Sequence, residues 1–369
     1  MAIELSILTT YQEFKGFSRT WEVFRQQQAD NTACNSWDWC NTWIDVFWRD
    51  KDQLYIHIWY DKKEVIGIIP CYLKSTLAGD ELRFIATGEP TKSEICSEFQ
   101  DFLLNSEFEK RILMQFTNKI LAEKHISAIV FSNILSISKA YQWLESLNKH
   151  DWIKTIKNSS KRYIIPIKKD ITTQISSFKS NNIKRHAKKF IANTQCHIVT
   201  INDNVALNDF YPQLIKEHNS TWRKRGEIGA FEQPDFVAFH RLFMDRMLKK
   251  NKLVAFKLES ENEVSALFYG IIDGNTLYYY QSAVNHESNL SSAGVAMHVV
   301  AIDIAREKNL MFYDLMQGAT NSYKARYITN DIIVVNIALF TKKHHYLMCL
   351  KQLTKKVKIK LNRTLKISV

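Results

Sequence analysis

The sequence predicts a duplicated α/β (α+β) protein: two tandem units, each a mixed sheet flanked by helices, followed by a basic C-terminal helix. Two observations lead there. Residues 53–69, QLYIHIWYDKKEVIGII, align without a gap on residues 252–268, KLVAFKLESENEVSALF, pairing Leu54 with Leu253, Glu64 with Glu263, Val65 with Val264 and Gly67 with Ala266. Each stretch is an apolar strand, a polar turn and a second apolar strand, the signature of a β-hairpin. Each hairpin is then succeeded by the same order of elements: strand, loop, helix, strand. With 369 residues the chain is long for one core. We place the units at 1–165 and 166–341, and a tail at 342–369.

The elements can be justified in chain order. Trp37, Trp39, Trp43, Phe47 and Trp48 recur at helical spacing, so an aromatic helix packs on the first sheet. After the first hairpin come a strand at 82–86 (LRFIA), an acidic loop at 88–99 (GEPTKSEICSEF), a helix near 106–122 and a strand near 126–131. Residues 175–191 are amphipathic; Lys179, Lys184, Arg185, Lys188 and Lys189 form either a solvated face or a phosphate contact. After the second hairpin come a strand at 277–283 (LYYYQSA), a helix near 294–308 and a strand at 311–316 (MFYDLM). In the tail Leu350, Leu353, Val357 and Leu361 share a stripe among lysines, a pattern that suits an anionic membrane surface or docking on the protein itself.

Composition narrows the function classes. The net charge of +12 suits polyanionic partners, and no Asp or Glu follows Asp331. The six cysteines form no CxxC, as expected of thiols in a reducing compartment. The histidines form no HExxH and no metal site is expected. The first twenty residues lack a signal-peptide pattern and the longest apolar run, 332–340, is too short to span a bilayer, so a cytoplasmic protein is expected.

The glycine-poor chain places Gly294 in the segment NLSSAGVAM (289–297), between a strand and a helix. The free N–H groups and dipole of a helix N-terminus attract anions, and small residues let an anion approach the backbone. The spacing fits neither GxGxxG nor GxxxxGK[ST].

Ser291-Ser292-Ala293-Gly294-Val295-Ala296 resembles the pyrophosphate loop of GNAT acyltransferases, with Ser in the leading position where Gln or Arg is usual. His218 to Gly226, Tyr278 to Gln281, Asp314 to Gly318 and Tyr323 to Tyr327 occur around it in an order similar to that of the CelD-like branch. That branch often accompanies polysaccharide assembly and is related to the two-halved Fem aminoacyl transferases. The resemblance implies acetyl-CoA or another acyl-CoA as donor, bound by residues 291–296 of the second half. The first half, with its three-Glu loop, would be a degenerate copy shaping the acceptor cleft.

The implied reaction is attack of an amine or hydroxyl on the thioester. Tyr323 is expected as the acid, His218 and then Asp314 as the base, with Trp222, Tyr280, Gln281 and Lys324 contacting substrate. The implied acceptor is a small-molecule or lipid-linked sugar, with peripheral contact to an anionic membrane. A Fem-like transfer from aminoacyl-tRNA is the alternative.

Overall fold

The computed structural model describes residues 3–28, 32–147, 152–192, 196–261, 263–329, 332–350 and 354. The first half runs β1 (Glu4–Leu8), α1 (Tyr11–Gly16), α2 (Ser18–Gln26), α3 (Trp37–Phe47), β2 (Gln53–Asp61), β3 (Glu64–Thr76), β4 (Gly79–Phe84), β5 (Leu103–Leu104), α4 (Glu109–Ala122), β6 (Ile126–Leu135), α5 (Lys139–Ser146) and β7 (Ile153–Pro166). After α6 (Ile171–Ser177) and α7 (Asn181–Ile191), the second half runs β8 (Cys196–Thr200), α8 (Asn204–Lys224), α9 (Pro234–Lys249), β9 (Leu253–Ser260), β10 (Glu263–Asp273), β11 (Thr276–Val284), α10 (Ala293–Glu307), β12 (Phe312–Gly318) and β13 (Ile333–Phe340). Both aligned stretches are hairpins, β2–β3 and β9–β10. The amphipathic stretch at 175–191 is two helices rather than one, because Phe178 adopts an extended backbone between them.

All strands join one 13-stranded sheet in the order β1-β2-β3-β4-β6-β13-β7-β12-β11-β10-β9-β8, with β5 alongside β3. Read from its two ends, the path gives the same succession: an edge strand, a hairpin, a fourth strand, and a fifth running parallel to the fourth. The centre departs from simple repetition. β7 follows the first half but pairs with β12, while β13 ends the second half and pairs with β6. Each half thus gives its closing strand to the other, and the 165/166 division falls near the end of β7 in an unbroken sheet.

The two halves also share a core. Trp39 of α3 meets Phe239 and Phe243 of α9 edge-on, with ring centroids 4.8 and 4.9 Å apart. Beneath them Arg25 of α2, fully buried, donates to both carboxylate oxygens of Asp273 at 2.7 and 2.9 Å. Residues 342–350 continue from β13 as a helix; of the expected basic stripe, only Leu350 falls among the described residues.

Candidate active site

The parallel pairs β4–β6 and β11–β12 have a common consequence. β11 and β12 pair only over Thr276–Tyr278 and Phe312–Asp314, then diverge. β4 and β6 are in register only over Asp80–Leu82 and Ile126–Ile129. Diverging parallel strands leave a wedge with unpaired backbone edges, which must be satisfied by something.

In the first half the chain fills its own wedge. Gln100 donates to the carbonyls of Ile85 (2.9 Å) and Cys34 (3.0 Å), and Phe99 N–H donates to Asn133 of β6 at 2.8 Å. In the second half the wedge opens into a cleft of about 540 Å³, lined along β11 by Tyr279, Gln281, Ser282, Ala283 and Val284. β11 carries a bulge there: Tyr279 sits opposite Gly270 and Gln281 opposite Tyr269, leaving Tyr280 as the extra residue. A bulge disrupts the ladder and frees backbone groups.

The N-terminus of α10 lies at the mouth of this cleft. Ser292, Gly294 and Val295 line it; Ser291 is exposed beside it, while Ala293 and Ala296 are buried beneath. The left-handed residue is Ser292 (φ 62°), not Gly294, and Ser292 Oγ is 2.7 Å from His186 Nδ1 of α7. Gly294 needs no unusual backbone: a Cβ placed on it would make only an ordinary 3.7 Å contact with Val284. Its contribution is the open space above the helix N-terminus. His186, Arg225, His286 and Arg326 line the cleft, and among the described residues no carboxylate does.

Several expected residues converge here. His218 and Trp222 lie one turn apart on α8, and the indole N–H donates to His218 Nε2 at 3.1 Å. That bond occupies the Nε2 lone pair and leaves the imidazole proton on Nδ1. Burial holds His218 below its ordinary value, with Asn219 acting in the opposite direction. Tyr323 lines the cleft, open to solvent at its mouth and enclosed by protein elsewhere. It stacks on the buried His298 with centroids 5.7 Å apart. This surrounding protein raises the Tyr323 phenol well above its usual value, with Tyr279 as hydrogen-bond neighbour, so it is protonated at neutral pH.

Three expected residues lie elsewhere. Asp314 is fully buried outside the cleft; one oxygen receives Arg162 Nε and Nη2 at 2.8 and 2.7 Å, and the other receives Met316 N–H at 2.7 Å. The partner that a strand-borne carboxylate requires is therefore Arg162 of β7. Tyr280 points into the shared core, its ring 5.1 Å from Trp39 and 5.0 Å from His240. Lys324 turns towards the wedge, donating to Gln317 O at 2.6 Å, and lies over the Tyr279 ring. The sequence reading assigned no role to His186, Arg225, Tyr279, His298 or Arg326, although the basic pattern around 184–189 spans His186 and the ordered motifs contain Arg225, Tyr279 and Arg326. Among the described residues no group of His, Cys, Asp and Glu is placed to hold a metal ion. Nor is any helix among them long and apolar enough to cross a membrane.

Residues 177–325 match the family model of an acetyltransferase (GNAT) domain. No curated protein matches the chain in sequence. Among solved structures the fold is similar to FemX (TM-score 0.61, 12% identity, covering 95% of this chain and 99% of that one). It is also similar to a conserved protein of unknown function from Bacteroides thetaiotaomicron VPI-5482 (TM-score 0.53, 11% identity, 91% and 100% covered). A tandem GNAT protein from the clavulanic acid biosynthesis pathway matches at TM-score 0.50 and 8% identity, with 91% and 98% covered. The fold is thus similar to that of tandem GNAT proteins, and the acetyltransferase (GNAT) domain match over residues 177–325 supports an acyltransferase.

Proposed function

We propose that the chain transfers an acyl group from acetyl-CoA or another acyl-CoA to an amine or hydroxyl of a sugar-derived acceptor. The observation that carries the donor half is the cleft itself: an open wedge, a helix N-terminus with free N–H groups, and a basic lining without a carboxylate. A pyrophosphate would lie over Gly294 with His186 and Arg326 beside it. The thioester would extend along β11, where the bulge at Tyr280 frees backbone groups to stabilise a developing oxyanion. Tyr323 would hydrogen-bond to the leaving thiolate and give it a proton. Trp222 and Gln281 would contact the substrates, with Lys324 behind them. The sugar acceptor, in surface polysaccharide assembly at the cytoplasmic side of a membrane, rests on the resemblance of the ordered motifs to the CelD-like branch.

Thermal unfolding of the full chain with acetyl-CoA, CoA and a longer acyl-CoA tests this. A ligand at about a hundred times its dissociation constant adds about 2.7 kcal/mol to stability. Gly294→Asp should abolish that gain while leaving the unliganded protein folded, because an acidic side chain is tolerated at a helix N-terminus but repels pyrophosphate. A gain that survives Gly294→Asp would place the donor elsewhere.

A second reading keeps support from one observation. The exposed residues Arg185, Lys188 and Lys189 of α7 lie on the helix whose Asn182, Ile183 and His186 line the cleft. A basic face beside the donor site suits the backbone of an aminoacyl-tRNA. No stabilisation by any acyl-CoA, together with salt-sensitive binding of aminoacyl-tRNA, would favour this reading.

A further inference from the structure

The hairpin that carries β3 into β4 turns over two residues, Leu77 and Ala78. Such turns usually hold Gly, Asn or Asp, whose backbone freedom and polarity suit a tip in water. Here Thr76 holds the turn: its Oγ1 donates to the Gly79 carbonyl at 2.6 Å and accepts from Ala78 N–H at 3.2 Å. Gly79 supplies the positive φ of 116°, where a Cβ would come within 2.7 Å of Ser127 Oγ. The turn is thus built without a polar tip. Leu77 stands 96% exposed, more than any other large apolar side chain among the described residues.

The helix at 342–350 lies beside this turn. Its buried His344 anchors it, with Nδ1 2.8 Å from Ser127 Oγ and Nε2 3.6 Å from Glu81 of β4, and Met348 packs on Ala128, Ala338 and Phe340. Turn and helix line a groove of about 730 Å³, along which Leu347 and Leu350 join Leu77. Both leucines are exposed, as is Tyr346 on the same helix. Four cationic side chains, Arg49, Lys51, Lys74 and Arg83, line the groove against one carboxylate, Glu81. The sequence then continues with seven Lys or Arg and no acid between residues 351 and 369.

We infer that this face docks on a membrane of anionic lipid, with Leu77 and Leu350 entering the acyl region while the groove cations meet lipid phosphates. The two features ask for different partners unless the partner is an amphiphile. A nucleic acid would engage the cations and leave Leu77 in water, where its apolar surface is unfavourable. A second copy of this chain would bring like charges together. An anionic bilayer meets both, since its headgroups attract Lys and Arg and its acyl chains accept leucine. One apolar prong holds a membrane only weakly, and its combination with a basic surface makes attachment stable. This surface belongs to the first half and its occupation requires no acyl donor, so it is independent of the acyl-transfer reading.

The test pellets the full chain with vesicles of phosphatidylcholine alone and of equal parts phosphatidylcholine and phosphatidylglycerol. Binding to the anionic vesicles is expected, weakening as salt is added. Leu77→Asp should lower the partition coefficient about tenfold or more, at an unchanged melting temperature because the side chain is exposed. Lys51→Glu should lower it as well. Val205→Asp, at an 80% exposed position on α8 outside the groove, should bind as wild type does. Equal binding of Leu77→Asp and wild type overturns the inference, because attachment would then rest on charge or on residues 351–369 alone. So does an absence of pelleting, equal pelleting with phosphatidylcholine alone, or a loss as large in Val205→Asp.

Discussion

At the scale of single residues, the side chains around the cleft divide by the proton chemistry their surroundings permit. Tyr323 is held protonated, stacks on His298 and lines the cleft. Tyr323→Phe keeps the ring and the stack but removes the proton, so turnover should fall about 10²-fold while the acetyl-CoA dissociation constant stays unchanged. A titration of binding beside a steady-state assay separates the two; equal turnover would remove Tyr323 from the mechanism. That Gly294 sits at the start of a helix was legible from residue type and spacing, and a Cβ there would make only an ordinary contact with Val284. Asp314 illustrates the opposite case. A carboxylate within an apolar strand announces that it needs a partner, but the sequence cannot say that the partner is Arg162, on a strand of the other half.

At the scale of elements, the hairpins and α10 were visible because their signals are local: alternation, turn residues, and an apolar run after small residues. The contact of α2 with the end of β10 was not. Arg25 and Asp273 form a buried bidentate pair across the halves, and removal of one member leaves a desolvated charge. Asp273→Asn should cost about 3 kcal/mol in denaturant unfolding, with Glu22 at 2.7 Å retaining part of the compensation for Arg25. Burial alone would raise the Asp273 carboxyl, but Arg25 outweighs it and holds the carboxyl below its ordinary value. The pair's contribution is therefore complete above an unfolded value of about 3.9 and is lost as pH falls through the lower folded value. The acid unfolding curve of Asp273→Asn should lack that component; a curve parallel to wild type would show that the pair does not set acid stability.

At the scale of the molecule, exchange of β7 and β13 makes each half incomplete without the other. A fragment starting at residue 166 would lack β6, the partner of β13, and would expose the α9 face that packs on Trp39. It should not fold alone, and the full chain should unfold in one transition. Calorimetry checks this: equal calorimetric and van't Hoff enthalpies are expected, and two resolved endotherms would mean that the halves are energetically independent. The same exchange brings a first-half loop beside a second-half strand. One wedge is filled by its own chain, and the filling segment reaches the other half where Glu98 accepts the Gln317 N–H.

The sequence by itself determined the repeated hairpin–strand–helix–strand order, the helix N-terminus at 292–296 and the basic excess, since each is written in neighbouring residues or in composition. Only the tertiary structure decided which wedge is open, where Asp314 and Tyr280 point, and that Glu98 meets Gln317. Those outcomes depend on pairings between residues far apart in the chain, and such pairings follow from strand order and edge direction, which leave no local periodicity to read.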